Sequence, residues 1–221
     1  MKRLLVLRPE PGASATVERA RELGLDAFQV PLFEVEPVVW TMPDPRRFDA
    51  LLLTSANAVR HGGEQLRQLR CLPVYAVGSV TAEAAAEAGF EIAGTGKGGI
   101  EDLLDTMKPG LRLLHLCGQD RRDSRASRQK IVPIVVYRST PVEKPDLAGT
   151  AGAVAVIHSP RAGSRFASLV DDRASIAIAA VSPAAAEAAG TGWLAVEAAP
   201  RPNDDDLLAL AARLCDKPIP E

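Results

Sequence analysis

The stretch DALLLTSANAVR, residues 49–60, decides the fold of this chain. Leu51, Leu52 and Leu53 form an apolar run suited to a strand buried on both faces. It leads into a turn of small polar residues, Thr54, Ser55 and Asn57, from which a helix starts. Strand, polar turn and helix in that order place backbone N–H groups at a strand's carboxyl end, where open α/β sheets receive anions and ligands. The same design returns in VAVIHSPRAGSR, residues 154–165, and Ser55 and Ser159 stand 159 − 55 = 104 positions apart.

That offset persists along the chain. Ala76-Val77-Gly78-Ser79 falls on Ala180-Val181-Ser182-Pro183, Glu83 on Glu187, and Asp102-Leu103-Leu104 on Asp206-Leu207-Leu208. With small insertions it extends backwards, Leu4-Leu5-Val6-Leu7 resembling Leu113-Leu114-His115-Leu116 and Val30-Pro31-Leu32 resembling Val132-Pro133-Ile134. The chain reads as a tandem pair of one α/β unit. In each copy the second strand carries a proline, which cannot donate to a ladder and so belongs at a sheet edge. An edge strand can leave its own sheet, so the expected domains are not the repeats: residues 1–35 join 140–221, and 36–139 form the second domain. The discriminating contact is the strand beside Leu5.

Of the 221 residues 47% are apolar and 24% charged, an ordinary globular composition, and the net charge of −2 argues against a generally basic nucleic-acid binder. Cys71, Cys117 and Cys215 are far apart and form no CxxC, which argues against a disulfide framework or zinc site and for a reducing compartment. The N-terminal apolar run stops at Arg8-Pro9, too short for a signal peptide or membrane span, so a cytoplasmic protein is expected.

In chain order, residues 4–7 read as a buried strand and a helix capped by Ser14 follows, ending at Gly24. Residues 29–39 read as one long edge strand interrupted by Pro31 and Pro37. A helix over 57–69, a strand at 74–77, an alanine-rich helix over 79–89 with Ser79 as its cap and Gly89 at its end, a strand over 91–99 and a helix over 100–107 complete the first copy. The second has strands at 113–117, 131–137, 154–158, 176–181 and 194–197, with helices at 182–190 and 204–214. Alternating strands and helices imply parallel sheets.

Few residues carry obvious chemistry. His61, His115 and His158 lack ligand spacing, and Gly94-Thr95-Gly96-Lys97-Gly98-Gly99 has Gly98 where a phosphate loop needs Ser or Thr. Neither half has GxGxxG after a first strand. Asp204-Asp205-Asp206 suits helix capping, and Arg121, Arg122, Arg125, Arg128 and Lys130 suit a solvated face, with carboxylate binding as the alternative. What survives is small hydroxyls, exposed amides and scattered arginines at strand ends in both halves, a surface for a polyanionic small ligand in a cleft between two lobes.

The ordered set LVLRPEP, VPLFEVEP, LLLTSANAVR, VYAVGSVTAEAAAEAG, LLHLCG, VVYRSTP, IHSPRAG and AAVSPAAAEAAG resembles the uroporphyrinogen-III synthase family along essentially the whole chain. The resemblance implies two flavodoxin-like α/β domains joined by a pair of extended segments, and a substrate, hydroxymethylbilane, that is a linear tetrapyrrole with eight carboxylates. It also implies a cofactor-free, monomeric cyclising lyase that inverts ring D, with no metal, nucleic-acid or membrane partner. By the same resemblance Tyr137 matches a tyrosine that assists hydroxide departure. Arg8, Thr54, Ser55, Asn57, Gly78, Ser79, Thr81, Gly118, Ser159, Arg161 and Ser182 fall on substrate-binding positions. Ser182-Pro183-Ala184-Ala185 departs from the family's Gly-Pro-Thr-Thr turn, and the segment between Gly118 and Ile131 is shorter than in many relatives. The competing readings are a non-enzymatic two-lobed binding protein for a polyanion and a nucleotide-dependent transferase.

Overall fold

The computed structural model describes residues 2–96, 99–120 and 127–216. The chain divides into two units, Met1–Glu34 with Pro141–Glu221, and Val35–Thr140.

The first unit holds a five-stranded sheet of β1 (Leu4–Val6), β2 (Ala27–Gln29), β9 (Val154–Ile157), β10 (Ala177–Ala180) and β11 (Ala195–Ala198) in the order β11-β10-β9-β1-β2. All its pairs run parallel, with Leu5 opposite Phe28 on one side and Ala155 on the other. Taken in chain order the strands lie as 2-1-3-4-5, the flavodoxin-like order. Side chains alternate across the sheet. Leu4 and Val6 pack with Val17 of α1 (Gly12–Glu22) and Leu207 of α7 (Asp204–Asp216), while Leu5 and Leu7 pack with Phe166 of α5 (Pro160–Leu169) and Ala185 of α6 (Pro183–Ala189).

The second unit's sheet contains β3 (Phe33–Pro37), β4 (Ala50–Leu53), β5 (Val74–Val77), β6 (Ile92–Gly96), β7 (Arg112–Gly118) and β8 (Lys130–Pro141), in the order β3-β8-β7-β4-β5-β6. From β8 to β6 the pairs are parallel. The order β8-β7-β4-β5-β6 repeats the first unit's pattern with the chain starting at its third strand. One face packs on α2 (Ala56–His61) and α3 (Ser79–Glu87), the other on α4 (Ile100–Thr106).

Several local expectations need correction. The single strand over 29–39 is two strands in different sheets, each at an edge: Pro31 interrupts the run, between Val30 N–H on Val6 C=O and Leu32 N–H on Leu7 C=O. The second proline-bearing strand, β8, is not at an edge but lies between β3 and β7. Pro133 is accommodated because the hydrogen bonds to β3's segment, Val38 N–H to Val136 C=O and Val142 N–H to Leu32 C=O, fall on its C-terminal side. One index falls as the other rises, so β3 runs antiparallel to β8. The helix over 57–69 stops at His61 and resumes as a 3-10 turn over Glu64–Leu69, because Gly63 between them has φ +77°. Ser14 does not cap α1 but sits in its first turn, where its N–H and hydroxyl both donate to Glu10. Lys97, Gly98 and the arginines at 121, 122 and 125 lie outside the described residues, while Arg128 donates to the Asp105 carbonyl.

Candidate functional site

In sheets of this order, ligands collect outside the strand carboxyl ends, where the helix connections diverge to opposite faces. In the second unit that point lies between β7 and β4. Gly118 closes β7, Thr54 and Ser55 follow β4, and Tyr137 on β8 stands opposite Gly118 in register. The Tyr137 ring lies so close to Gly118 that a Cβ there would be 2.7 Å from the ring's Cε2 and Cζ. Glycine is therefore required at 118 as a floor for the phenol. The phenol is hydrogen-bonded to the Ser55 side chain and the Gly118 backbone; burial outweighs both and raises it above its ordinary 10.0. It is thus a protonated phenol at neutral pH. The His61 ring stands 6.3 Å from it, centroid to centroid.

Around this phenol the predicted polar residues divide by role. Ser55 accepts the Asn57 N–H at 3.2 Å and so caps α2, while Thr54 Oγ1 lies 3.1 Å from His115 Nε2. After β5 the chain turns at Gly78 into α3, and Ser79, expected as the cap, is instead the first helical residue, so the N-terminus has no side-chain cap. Its first-turn N–H groups therefore need an outside acceptor, which suits an anion. Ser79 beside them is exposed, but Thr81 is only 5% exposed and presents little hydroxyl surface.

The equivalent point of the first unit lies between β1 and β9 and is built of charges. Arg8 follows β1, and its Nη1 is committed to Asp204 Oδ2 at 3.1 Å and to Thr16 Oγ1 at 3.3 Å. Thr16 Oγ1 donates to the same carboxylate at 3.1 Å, and Arg19 also reaches it. His158, following β9, brings Nε2 to 3.2 Å from Asp204 Oδ1, an ion-pair distance although the approach is off a hydrogen-bond line. Burial alone would raise the Asp204 carboxyl, but His158, Arg8 and Thr16 outweigh it and hold the group at about 2. Burial pushes His158 below its ordinary value, and Arg8 adds to that against the pull of Asp204.

Ser159 and Ser182 cap α5 and α6, accepting the Ala162 and Ala185 N–H groups at 3.2 and 3.3 Å. Arg161 lays its guanidinium 4.4 Å over the Phe33 ring and is exposed. Among the described residues no three His, Cys, Asp or Glu side chains gather as a metal site, and no helix is long and apolar enough to cross a membrane.

A family model described as uroporphyrinogen-III synthase HemD matches residues 14–209, most of the chain. The chain belongs to the uroporphyrinogen-III synthase family. Among solved structures it resembles the uroporphyrinogen-III synthetase of Helicobacter pylori 26695, with a TM-score of 0.67 at 18% identity, covering 97% of this chain and 100% of that one. A mutant uroporphyrinogen III synthase of the extreme thermophile Thermus thermophilus has a TM-score of 0.50 at 19% identity, with 97% and 100% covered. At such identities the likeness is one of fold. Among curated proteins none matches the sequence.

His115 and His158 gave no spacing signal, yet the fold brings His115, in mid-β7, to Thr54 and His158, just after β9, to Asp204. The offset of 104 sets Thr54 on His158, 158 − 54 = 104, but does not set His115 on Asp204, so it signalled neither pairing.

Proposed function

We propose that the protein cyclises hydroxymethylbilane to uroporphyrinogen III with inversion of ring D, acting as a cofactor-free, monomeric, cytoplasmic lyase. The observation that carries this reading is the family match over residues 14–209. Hydroxide leaves the ring A hydroxymethyl group to give an azafulvene. Ring D attacks through its substituted carbon to give a spiro-pyrrolenine, and fragmentation with recombination closes the inverted macrocycle, with net loss of water.

Tyr137 is the group that assists departure. Ser55 and the Gly118 backbone hold its oxygen, and its phenol, protonated at neutral pH, gives its proton to the leaving hydroxide. Ser55 and Gly118 serve the phenol, and Thr54, Asn57, Ser79 and the uncapped α3 amides beyond Gly78 receive substrate carboxylates. In the first unit the same role falls to Arg161 and to the turns capped by Ser159 and Ser182, whereas Arg8 acts through Asp204 and Thr81 through packing. Since the bilane cyclises unaided without inversion, the protein's chief work is selecting a conformation. Proximity and orientation can contribute roughly 7–11 kcal/mol.

The two units arise, on this reading, from a tandem repeat that has exchanged its first two strands, with domains of residues 1–35 with 140–221, and 36–139. The offset of 104 positions and the pairing of β1 with β9 support it.

The test is incubation with freshly generated hydroxymethylbilane and resolution of the product isomers. Isomer III is expected in excess, before and after dialysis against a chelator. Isomer I alone, at the uncatalysed rate, overturns the function, and a loss restored by one particular metal overturns its independence of cofactors.

A further inference from the structure

His115 is 4% exposed and the most deeply buried of the three histidines. It stands in the middle of β7, opposite Leu52 of β4, on the sheet face that carries Ala50, Leu52 and Leu113 toward α4. A polar ring in that apolar face needs a hydrogen-bonding partner. It reaches diagonally to Thr54, two residues beyond Leu52 on the same face, where Nε2 and Oγ1 are 3.1 Å apart. Thr54 is only half-buried, so it can touch a ligand at the strand ends while His115 cannot.

We propose that His115 is a positioning residue for the cyclisation: its Nε2–H donates to Thr54 Oγ1 and so directs the threonine proton outward, toward a carboxylate of the bilane. This rests on the function proposed above and assigns one part of its binding surface. A threonine hydroxyl has a single proton. Were Nε2 the acceptor, that proton would point inward and Oγ1 would meet the substrate carboxylate with lone pairs alone, which repel it. With Nε2–H as donor the proton is left for the substrate, and a hydrogen bond to a charged oxygen is among the stronger kinds. An anionic ligand therefore selects the Nε2–H form of His115, and the surrounding Leu52 and Leu113 shield that form from water.

The experiment combines ¹⁵N NMR of the wild-type imidazoles with steady-state kinetics of His115→Leu, His115→Gln, Thr54→Val and the Thr54→Val/His115→Leu pair on fresh hydroxymethylbilane. The wild type should show His115 as the Nε2–H tautomer at neutral pH. His115→Leu should raise KM about tenfold with little change in kcat. His115→Gln, whose amide N–H can donate in place of the ring, should restore most of it, and the double variant should be no worse than Thr54→Val alone. An Nδ1–H tautomer, an unchanged KM in His115→Leu, or fully additive losses overturns the proposal. A lowered Tm with unchanged KM marks His115 as merely structural and overturns it too. A wild type that forms no isomer III defeats the functional reading itself, whereas a wild type that turns over while His115→Leu keeps its KM defeats this inference alone.

Discussion

The two sheets have the same strand order, yet the points where their helix connections diverge are electrically unlike. In the first unit, Arg8, Thr16, Arg19 and His158 converge on one carboxylate, Asp204, which stitches β1, α1, β9 and α7 together. In the second, the equivalent place is held by hydroxyl pairs, Thr54 with His115 and Tyr137 with Ser55 and Gly118. A charged cluster that satisfies itself has few donors left for a ligand. Neutral hydroxyls beside an uncapped helix end have donors to spare, and a polycarboxylate meets no fixed negative charge among them. On the function proposed above, anchoring falls to the first point and chemistry to the second.

Replacing Tyr137 by Phe breaks the comparison most severely. With Ser55 and Gly118 left facing an edge without oxygen, kcat/KM should fall on the order of a hundredfold, the range of one positioned acid. Measured beside the ratio of isomer III to isomer I, substantial isomer III should persist. A loss beyond about 10⁴-fold with folding intact would make Tyr137 an essential catalyst and overturn the orientation account.

A smaller effect separates the units by acid. The folded Asp204 sits at about 2 against an ordinary 3.8, so its contribution, about 2 kcal/mol, is fully present above roughly pH 4 and is lost as pH falls toward 2. His158 acts in the same sense at higher pH, because a depressed histidine must take up its proton at the expense of the fold. Each unit carries one tryptophan, Trp193 in the first and Trp40 in the second. Between pH 4 and 2, denaturation followed by Trp193 fluorescence in a Trp40→Phe background should show the loss, and Asp204→Asn should flatten it. An equal loss reported by Trp40 alone in Trp193→Phe would erase the distinction.

The least effect is expected at the caps. Ser182→Ala should cost about 1 kcal/mol in urea denaturation, and Ser182→Asn, which can still cap α6, should cost only a few tenths. If Ser182→Asn instead lowers kcat/KM tenfold with stability intact, the hydroxyl binds substrate and the first unit shares the chemistry.

Strands were legible, because Leu4 to Leu7 and Leu51 to Leu53 are apolar without interruption. Caps were not: Ser14 and Ser79 lie inside the first turns of α1 and α3, whereas Ser55, Ser159 and Ser182 accept the first-turn N–H groups of α2, α5 and α6. The pairing of Thr54 with His115 was not legible either, since 61 residues separate them and only the β4–β7 register brings them together. Asp204 misled for a related reason. Its place in a run of three acids at a helix start fitted capping, but Asn203 caps α7 by accepting the Asp206 N–H, which leaves Asp204 to Arg8 and His158. The helix over 57–69 failed at Gly62-Gly63, where helical propensity on both sides hid a short break.

The position of β1 beside β9 also sets a timetable for synthesis on the ribosome. Leu4 has Val154 as its partner, 154 − 4 = 150 residues downstream. At roughly 5–20 residues per second β1 waits about 8–30 s for it. The second unit, continuous from Val35 to Thr140, has emerged by then. Its sheet can close while Leu4, Leu5 and Val6 have only β2 beside them, their other edge open until β9 arrives.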